Sequence, residues 1–286
     1  MEVYAPTKLA EALELRAEHP EAVPVVGGTD LWVDLNFRRA RPEALLDLSR
    51  LSELADWSRE PELVFVGAGV TFARIARELS RVRPLAEAAR SVGSPQIRNR
   101  ATLGGNIGTA SPAGDALPVL AAFDARIVVG SSRHTRTVAF YDFFVGPKRT
   151  SLAPDELILG VEWRLRQGPG SFAKVGPRNA MVIAVAGVCV QLDPLARAVT
   201  IALGSVGPTV LRSPAAEAFA AGVVPWDDPG APVSRAALAE LGRLAAVDAR
   251  PIDDLRGTAA YRRHVVEILT RRVFAWTLDD RKDWPW

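Results

Sequence analysis

The chain has 286 residues, of which 48% are hydrophobic and 24% charged, and a net charge of +2. That composition belongs to an ordinary globular protein and excludes large-scale disorder. Its basic residues are scattered among acids, with no basic stripe carrying interleaved aromatics, which argues against nucleic acid as a partner.

Residues 7–18 are predicted to form a helix capped by Thr7, with Leu9, Ala12, Leu13 and Ala17 on one face. Ala22–Val26 is a short apolar strand running into Gly27-Gly28-Thr29-Asp30, and Ala44–Leu48 is the next strand. A second unit opens with strand Leu63–Val66 and a helix capped by Thr71. Pro84 suits the first turn of the following helix, which reaches about Val92. The stretch from Ser94 to Asp115 is rich in Gly, Asn, Ser and Thr and is expected to be an irregular loop, too long for a simple turn. Strands Arg126–Val129 and Leu157–Leu165 follow, then a Gly-rich linker candidate at Gln167–Gly170. Beyond it, Ser171–Lys174, Ala180–Leu192 and Ala198–Ser205 are expected as antiparallel strands, with helices at Ala236–Val247 and Thr258–Trp276. The expected class is α+β. One domain covers 1–168, with lobes of about 1–56 and 57–168, and a C-terminal domain of antiparallel sheet and helices covers 169–286.

The chemistry is bounded by what is scarce. The single cysteine, Cys189, excludes a disulfide scaffold, reads as a buried small hydrophobe and suits a reducing, cytoplasmic compartment. No secretory signal is expected, since no basic n-region with a long apolar run opens the sequence, and no stretch approaches the roughly 20 apolar residues of a membrane span. An iron–sulfur cluster needs about four Cys ligands. His19, His134 and His264 have no metal-ligand spacing. No metal site is therefore expected, and redox chemistry here would require an organic cofactor.

Two paired-glycine motifs stand out. Pro24-Val25-Val26-Gly27-Gly28-Thr29-Asp30-Leu31 is a strand ending where backbone N–H groups can gather around an anion such as a diphosphate. It also reads as a plain tight turn. Thr102-Leu103-Gly104-Gly105-Asn106 repeats the pattern, with Thr109, Ser111 and Asp115 following as partners for ribityl and ribose hydroxyls. Together the two suggest a diphosphate gripped from both sides. Gly67-Ala68-Gly69 imitates a dinucleotide fingerprint, but Phe72 stands where a small residue is needed, so it reads as a turn. Lys174 and Arg178 place two cations at the start of the C-terminal domain, either toward a cofactor or on a solvated hairpin.

At these motifs, VVGGTDL, ATLGGNIGTASPAGDALPVL and KVGPRNAM, the chain resembles the FAD-binding subunits of molybdenum hydroxylases of the xanthine dehydrogenase and carbon monoxide dehydrogenase type. The resemblance implies a two-lobed FAD-binding fold shared with vanillyl-alcohol-type flavoproteins, followed by a flavoprotein C-terminal domain. It implies non-covalent FAD, with Pro24 to Leu31 and Thr102 to Asn106 on the diphosphate. Thr109, Ser111 and Asp115 would contact hydroxyls, Val92 would make an apolar contact, and Ile158 or Leu159 would lie near the adenine or the ring. Lys174 would reach the isoalloxazine, supported by Arg178. The molybdenum cofactor and [2Fe–2S] clusters would reside in a large and a small partner subunit of a heterohexamer. Electrons would pass from the clusters through FAD to NAD, a quinone or oxygen, with no catalytic side chain on this chain. The acidic residue that many members carry just after the cation pair is missing, since no acid appears before Asp193. The alternative is a stand-alone FAD-dependent oxidoreductase of the vanillyl-alcohol oxidase type. The terminal Trp284-Pro285-Trp286 is a candidate contact for a partner subunit or for the chain itself.

Overall fold

The structure, a computed structural model, describes residues 1–165 and 168–281. Gln167 of the expected linker and the terminal Trp284-Pro285-Trp286 lie outside the described residues. In chain order the first elements are β1 (Glu2–Tyr4), α1 (Leu9–Glu18), β2 (Val23–Val25), α2 (Leu31–Asn36), β3 (Ala44–Asp47), β4 (Trp57–Arg59), β5 (Leu63–Gly67) and α3 (Phe72–Glu78). Next come α4 (Arg83–Ser91), α5 (Pro95–Arg100), α6 (Leu103–Thr109), α7 (Ala116–Ala122), β6 (Arg126–Gly130), β7 (Thr135–Ala139), α8 (Phe140–Phe143), β8 (Phe144–Gly146), β9 (Arg149–Thr150) and β10 (Leu157–Arg164). The last are β11 (Gly170–Val175), β12 (Ala186–Asp193), β13 (Ala198–Gly204), β14 (Leu211–Arg212), α9 (Pro214–Val223), α10 (Arg235–Asp248) and α11 (Ala259–Arg281). These form two compact units that do not follow chain order. One holds residues 1–75, 94–111 and 124–165; the other holds 76–93, 112–123 and 168–281.

The first unit contains a parallel sheet in the order β1-β3-β2 and an antiparallel sheet in the order β4-β5-β10-β6-β7. Central β3 is apolar and buried through Ala44, Leu45 and Leu46. Pro24, which has no N–H for a ladder, sits on edge strand β2, where it is tolerated. In the other sheet, β10 bulges between Ile158 and Gly160, and α6 lies over β10 and β5.

The second unit is built on an antiparallel meander, β11-β12-β13-β14. Residues 186 to 192 of β12 are all buried because helices cover both faces. Ala186, Val188, Val190 and Leu192 share a core with Val266, Val273 and Phe274 of α11 and with Leu241 of α10. Cys189 alternates with that set and is fully buried, and burial pushes its thiol well above its ordinary pKa. Gly204, paired with Gly187 in the ladder, lets Pro118 of α7 seat on the strand; any Cβ there would strike the proline ring. All seven residues of α7 are buried. An all-apolar helix has no amphipathic period, so its pattern gave no sign of it.

Three expectations change. The stretch from Ser94 to Asp115 is not one irregular loop but α5 and α6 with short connections. Ser94 and Thr102 cap these helices by accepting from Ile97 N and Gly105 N. The N-cap of α1 is Lys8, without a side-chain bond, while Thr7 N donates to Glu11 Oε2 at 3.0 Å. Residues 180–185 do not extend β12, which starts at Ala186; Met181 instead takes a left-handed φ of 52°.

Helices α10 and α11 pack closely at Gly242, where a Cβ would collide with the Glu267 carbonyl oxygen. Gly242→Val is therefore expected to destabilise the protein by about 2 kcal/mol through overpacking, read as a lower urea midpoint. An unchanged midpoint would show that the helices can part freely.

Candidate functional site

Each glycine pair divides its labour. After β2, Gly27 packs so tightly that any side chain would collide with the carbonyl oxygen of Arg100. Gly28 turns the chain with φ +69°, and a Cβ on it would strike the Trp32 indole. Among the described residues, no acceptor is found for the backbone N–H of Gly27, Gly28, Thr29, Asp30 or Leu31. Unpaired N–H groups in a glycine turn are what an anion requires.

The second pair is arranged otherwise. Residues 101–104 lie antiparallel along 68–72. Phe72 N donates to Ala101 O at 3.0 Å, Leu103 N to Val70 O at 3.0 Å and Gly104 N to Ala68 O at 2.9 Å. Thr102 takes the next two donors, Gly105 N through Oγ1 and Asn106 N through its carbonyl, both at 3.0 Å. The first-turn N–H groups of α6 are thus already bonded within the chain. The expected nest of donors at Thr102–Asn106 is not what this segment presents. Leu103, Gly104 and Ile107 are buried, and a Cβ on Gly104 would press on Ala68 at 2.5 Å. What faces outward is Gly105 and, one turn on, Gly108. A Cβ on Gly108 would be in ordinary contact with Ile158. Of the two apolar candidates on β10, Ile158 lies beside this helix, while Leu159 packs against Gly130 and the core around Leu46 and Leu48.

Two further features mark the site. Thr109 Oγ1 meets Asp30 Oδ2 at 3.3 Å, so both motifs are joined at their far ends as well as at Gly27. Asn106 Oδ1 is buried without a hydrogen-bond partner. An orphaned acceptor, a run of free N–H donors and a Cβ-free helix face suit a ligand with phosphates, hydroxyls and a flat ring. Sequence reasoning missed Trp32 altogether, and it rated Gly67-Ala68-Gly69 a mere turn. That turn is the surface on which α6 is seated, and its glycines serve close approach to the backbone of Leu54.

The remaining candidates, apart from Ser111 at the end of a first-unit segment, belong to the second unit. Lys174 does not present a free cation. Its ammonium, 7% exposed, donates to Asp115 Oδ2 at 2.5 Å, Ser91 O at 2.9 Å and Val182 O at 3.0 Å, which exhausts its donors. Arg178 is exposed and does not support it; it closes its own turn on Ala180 O at 3.1 Å and Met181 O at 2.5 Å. Asp115 is buried beside Lys174 with Oδ1 unpartnered. Burial raises its pKa, outweighing the opposite pull of Lys174 and Ser91. Val92 is half-buried at the end of α4. No group of metal-ligating side chains occurs among the described residues.

Comparison with known proteins converges on one kind of relative. Residues 1–163 match the family described as the FAD binding domain in molybdopterin dehydrogenase, and residues 171–277 match the CO dehydrogenase flavoprotein C-terminal domain. The nicotinate dehydrogenase FAD-subunit of Eubacterium barkeri is 36% identical over 67% of this chain and 69% of its own. The nicotine 6-hydroxylase medium subunit of Paenarthrobacter nicotinovorans is 32% identical over 94% of each. A chain of carbon monoxide dehydrogenase from Hydrogenophaga pseudoflava, in a form lacking the Mo-pyranopterin moiety, aligns with a TM-score of 0.85. It is 28% identical, with 97% of this chain and 98% of that chain covered.

The Lys174–Asp115 pair has a testable sign. A carboxyl whose folded pKa is raised favours folding below its unfolded pKa and loses that contribution as pH rises through the folded value. Lys174 counters the loss. Lys174→Met is expected to cost about 3–5 kcal/mol at neutral pH by leaving a buried carboxylate unpaired. Part of the loss should return on acidification through the raised pKa of Asp115. Urea midpoints at mildly acidic and mildly alkaline pH check both; a variant as stable as the parent would show that the pair carries no stability.

Proposed function

This chain belongs to the family of FAD-binding domains in molybdopterin dehydrogenases, and from that premise we propose that it binds FAD non-covalently as the electron-relaying subunit of a molybdenum hydroxylase. The observation that carries this reading is the run of five unpaired backbone N–H groups from Gly27 to Leu31. A diphosphate bears about two negative charges and needs several donors without intervening side chains. Gly105 and Gly108 leave the outer face of α6 bare, so a ligand can approach its backbone. Asn106 Oδ1 is free to accept from a hydroxyl or ring N–H, and Thr29, Thr109 and Ile158 complete the proposed contact set in the first unit. In the second unit, Asp115 Oδ1 has the same unused capacity. Ala110, left-handed at φ 47°, ends α6, and its carbonyl is held by Lys148 N, which fixes the helix under that surface.

Bound FAD would exchange single electrons with one-electron carriers and electron pairs with a two-electron acceptor, chemistry that belongs to the cofactor. The chain's part is binding and placement. With one cysteine in the whole sequence, [2Fe–2S] ligands must come from another chain. The reading therefore assigns the clusters to a small partner subunit and the molybdenum cofactor to a large one. NAD, a quinone or oxygen is the final acceptor. No helix among the described residues is long and apolar enough to cross a membrane.

Gly105→Leu tests this directly. The position is exposed, a Cβ meets only Thr102 Oγ1 at 3.2 Å, and leucine favours a helix more than glycine does, so the fold should hold. The added side chain should block the bare helix face and weaken FAD binding by at least about tenfold, near 1.4 kcal/mol. The checks are flavin absorbance per protein and the dissociation constant after reconstitution. Parental affinity in this variant would overturn the proposed contact surface.

A further inference from the structure

The first unit exposes apolar side chains on one short element. On α2 and its cap, Trp32 is 47% exposed, Val33 44% and Phe37 68%. Their positions along the helix span an arc of roughly 140° at 3.6 residues per turn, so they share a face. Large apolar groups clustered on an exposed face mark an interaction surface more often than isolated ones do.

Three arginines border that face, beside the exposed acids Asp30 and Glu43. Arg38, Arg39 and Arg41 are all exposed, and among the described residues none of them is in an ion pair. Arg39 lies over the Phe37 ring at 5.0 Å. The nearby acid Asp34 is matched by Lys148 at 3.9 Å. The helix closes with Arg38 N on Leu35 O and Arg39 N on Asp34 O, the bonding pattern in which the left-handed residue is usually glycine. Here it is Arg38, with φ 56°. The turn thus carries a charged side chain where the backbone alone would favour none. The face also continues directly from the proposed cofactor loop, since Trp32 is the residue packed over Gly28.

We propose that Trp32, Val33 and Phe37, with Arg38, Arg39 and Arg41 at their border, form the docking surface for the iron–sulfur partner subunit, which meets it with an acidic rim around an apolar patch. The proposal rests on the flavin-relay reading. Single-electron exchange requires the carrier to sit close to the cofactor, and this surface begins at the proposed diphosphate loop. Arginines at the rim would steer an acidic partner and fix its orientation, while the exposed aromatics supply desolvated contact at the centre.

The test uses the assembled complex, purified through an affinity tag on this chain from the organism that encodes it. The parent is compared with Phe37→Ser/Arg39→Glu and with Leu195→Ser, which alters a residue that is 78% exposed elsewhere. Iron and flavin are measured in each, with thermal unfolding as the check on folding. The parent and Leu195→Ser should retain iron with flavin. The double variant should keep its flavin and melting behaviour but lose iron per flavin by about tenfold or more. In the parent, iron should be shed as salt rises, as expected for exposed charge pairing. Unchanged iron per flavin in the double variant overturns the docking surface and leaves the flavin reading standing. A parent chain without flavin removes that reading and the proposal with it. A self-associated parent that the double variant converts to monomer also overturns it, assigning the face to a second copy of the chain.

Discussion

The first unit depends on backbone meeting backbone with no side chain between. Gly27 lies on the Arg100 carbonyl, and Gly104 lies on Ala68. Both contacts are too close for a Cβ, so two turns distant in sequence are pressed onto one scaffold. The antiparallel bonds from 101–104 to 68–72 then hold α6 in place and use up its first donors. Buried N–H groups are rarely left unpaired. Of the two glycine motifs, the one at Gly27–Leu31 is where a run of backbone donors stays open to an incoming acceptor. The placement of these open donors follows from how the glycines pack.

The paired glycines were legible in the sequence; their division of labour was not. In each pair the first residue serves packing, and the second serves a left-handed turn at Gly28 or an open surface at Gly105. Both jobs are written with the same letter. Local propensity also misleads here. Three glycines in the seven residues of α6 each cost about 1 kcal/mol relative to alanine, so the stretch read as a loop. It is helical because Thr102 caps it and because Val70 and Ala68 accept its leading donors. Only the tertiary fold supplies those acceptors. The strands with continuous or alternating apolar runs, β3, β5, β12 and β13, were legible because burial dictates their pattern.

The cation pair shows the same limit from the side of charge. Lys174 and Arg178 are four residues apart, and that spacing suggested joint action. The structure separates them by depth. Lys174 is drawn inward by Asp115 and two carbonyls, while Arg178 stays exposed on a turn that it stabilises itself. The sequence does contain the decisive partner, since Asp115 belongs to the second glycine motif. But that motif divides between the two compact units after Ser111, and spacing gives no hint of the break.

This division bears on how the chain would tune a flavin. A buried ammonium bonded to a carboxylate and two carbonyls contributes a nearly neutral group, so its field falls off faster than that of a lone cation. Lys174 is then suited to fixing Ser91, Asp115 and the 182 carbonyl in one arrangement. At the two glycine motifs of the first unit the polar groups left open are uncharged: five N–H groups and the Asn106 carbonyl oxygen. Fixed dipoles of this kind need no counter-ion and do not reorganise when charge arrives. A flavin whose charge changes with its redox state is served by that kind of site.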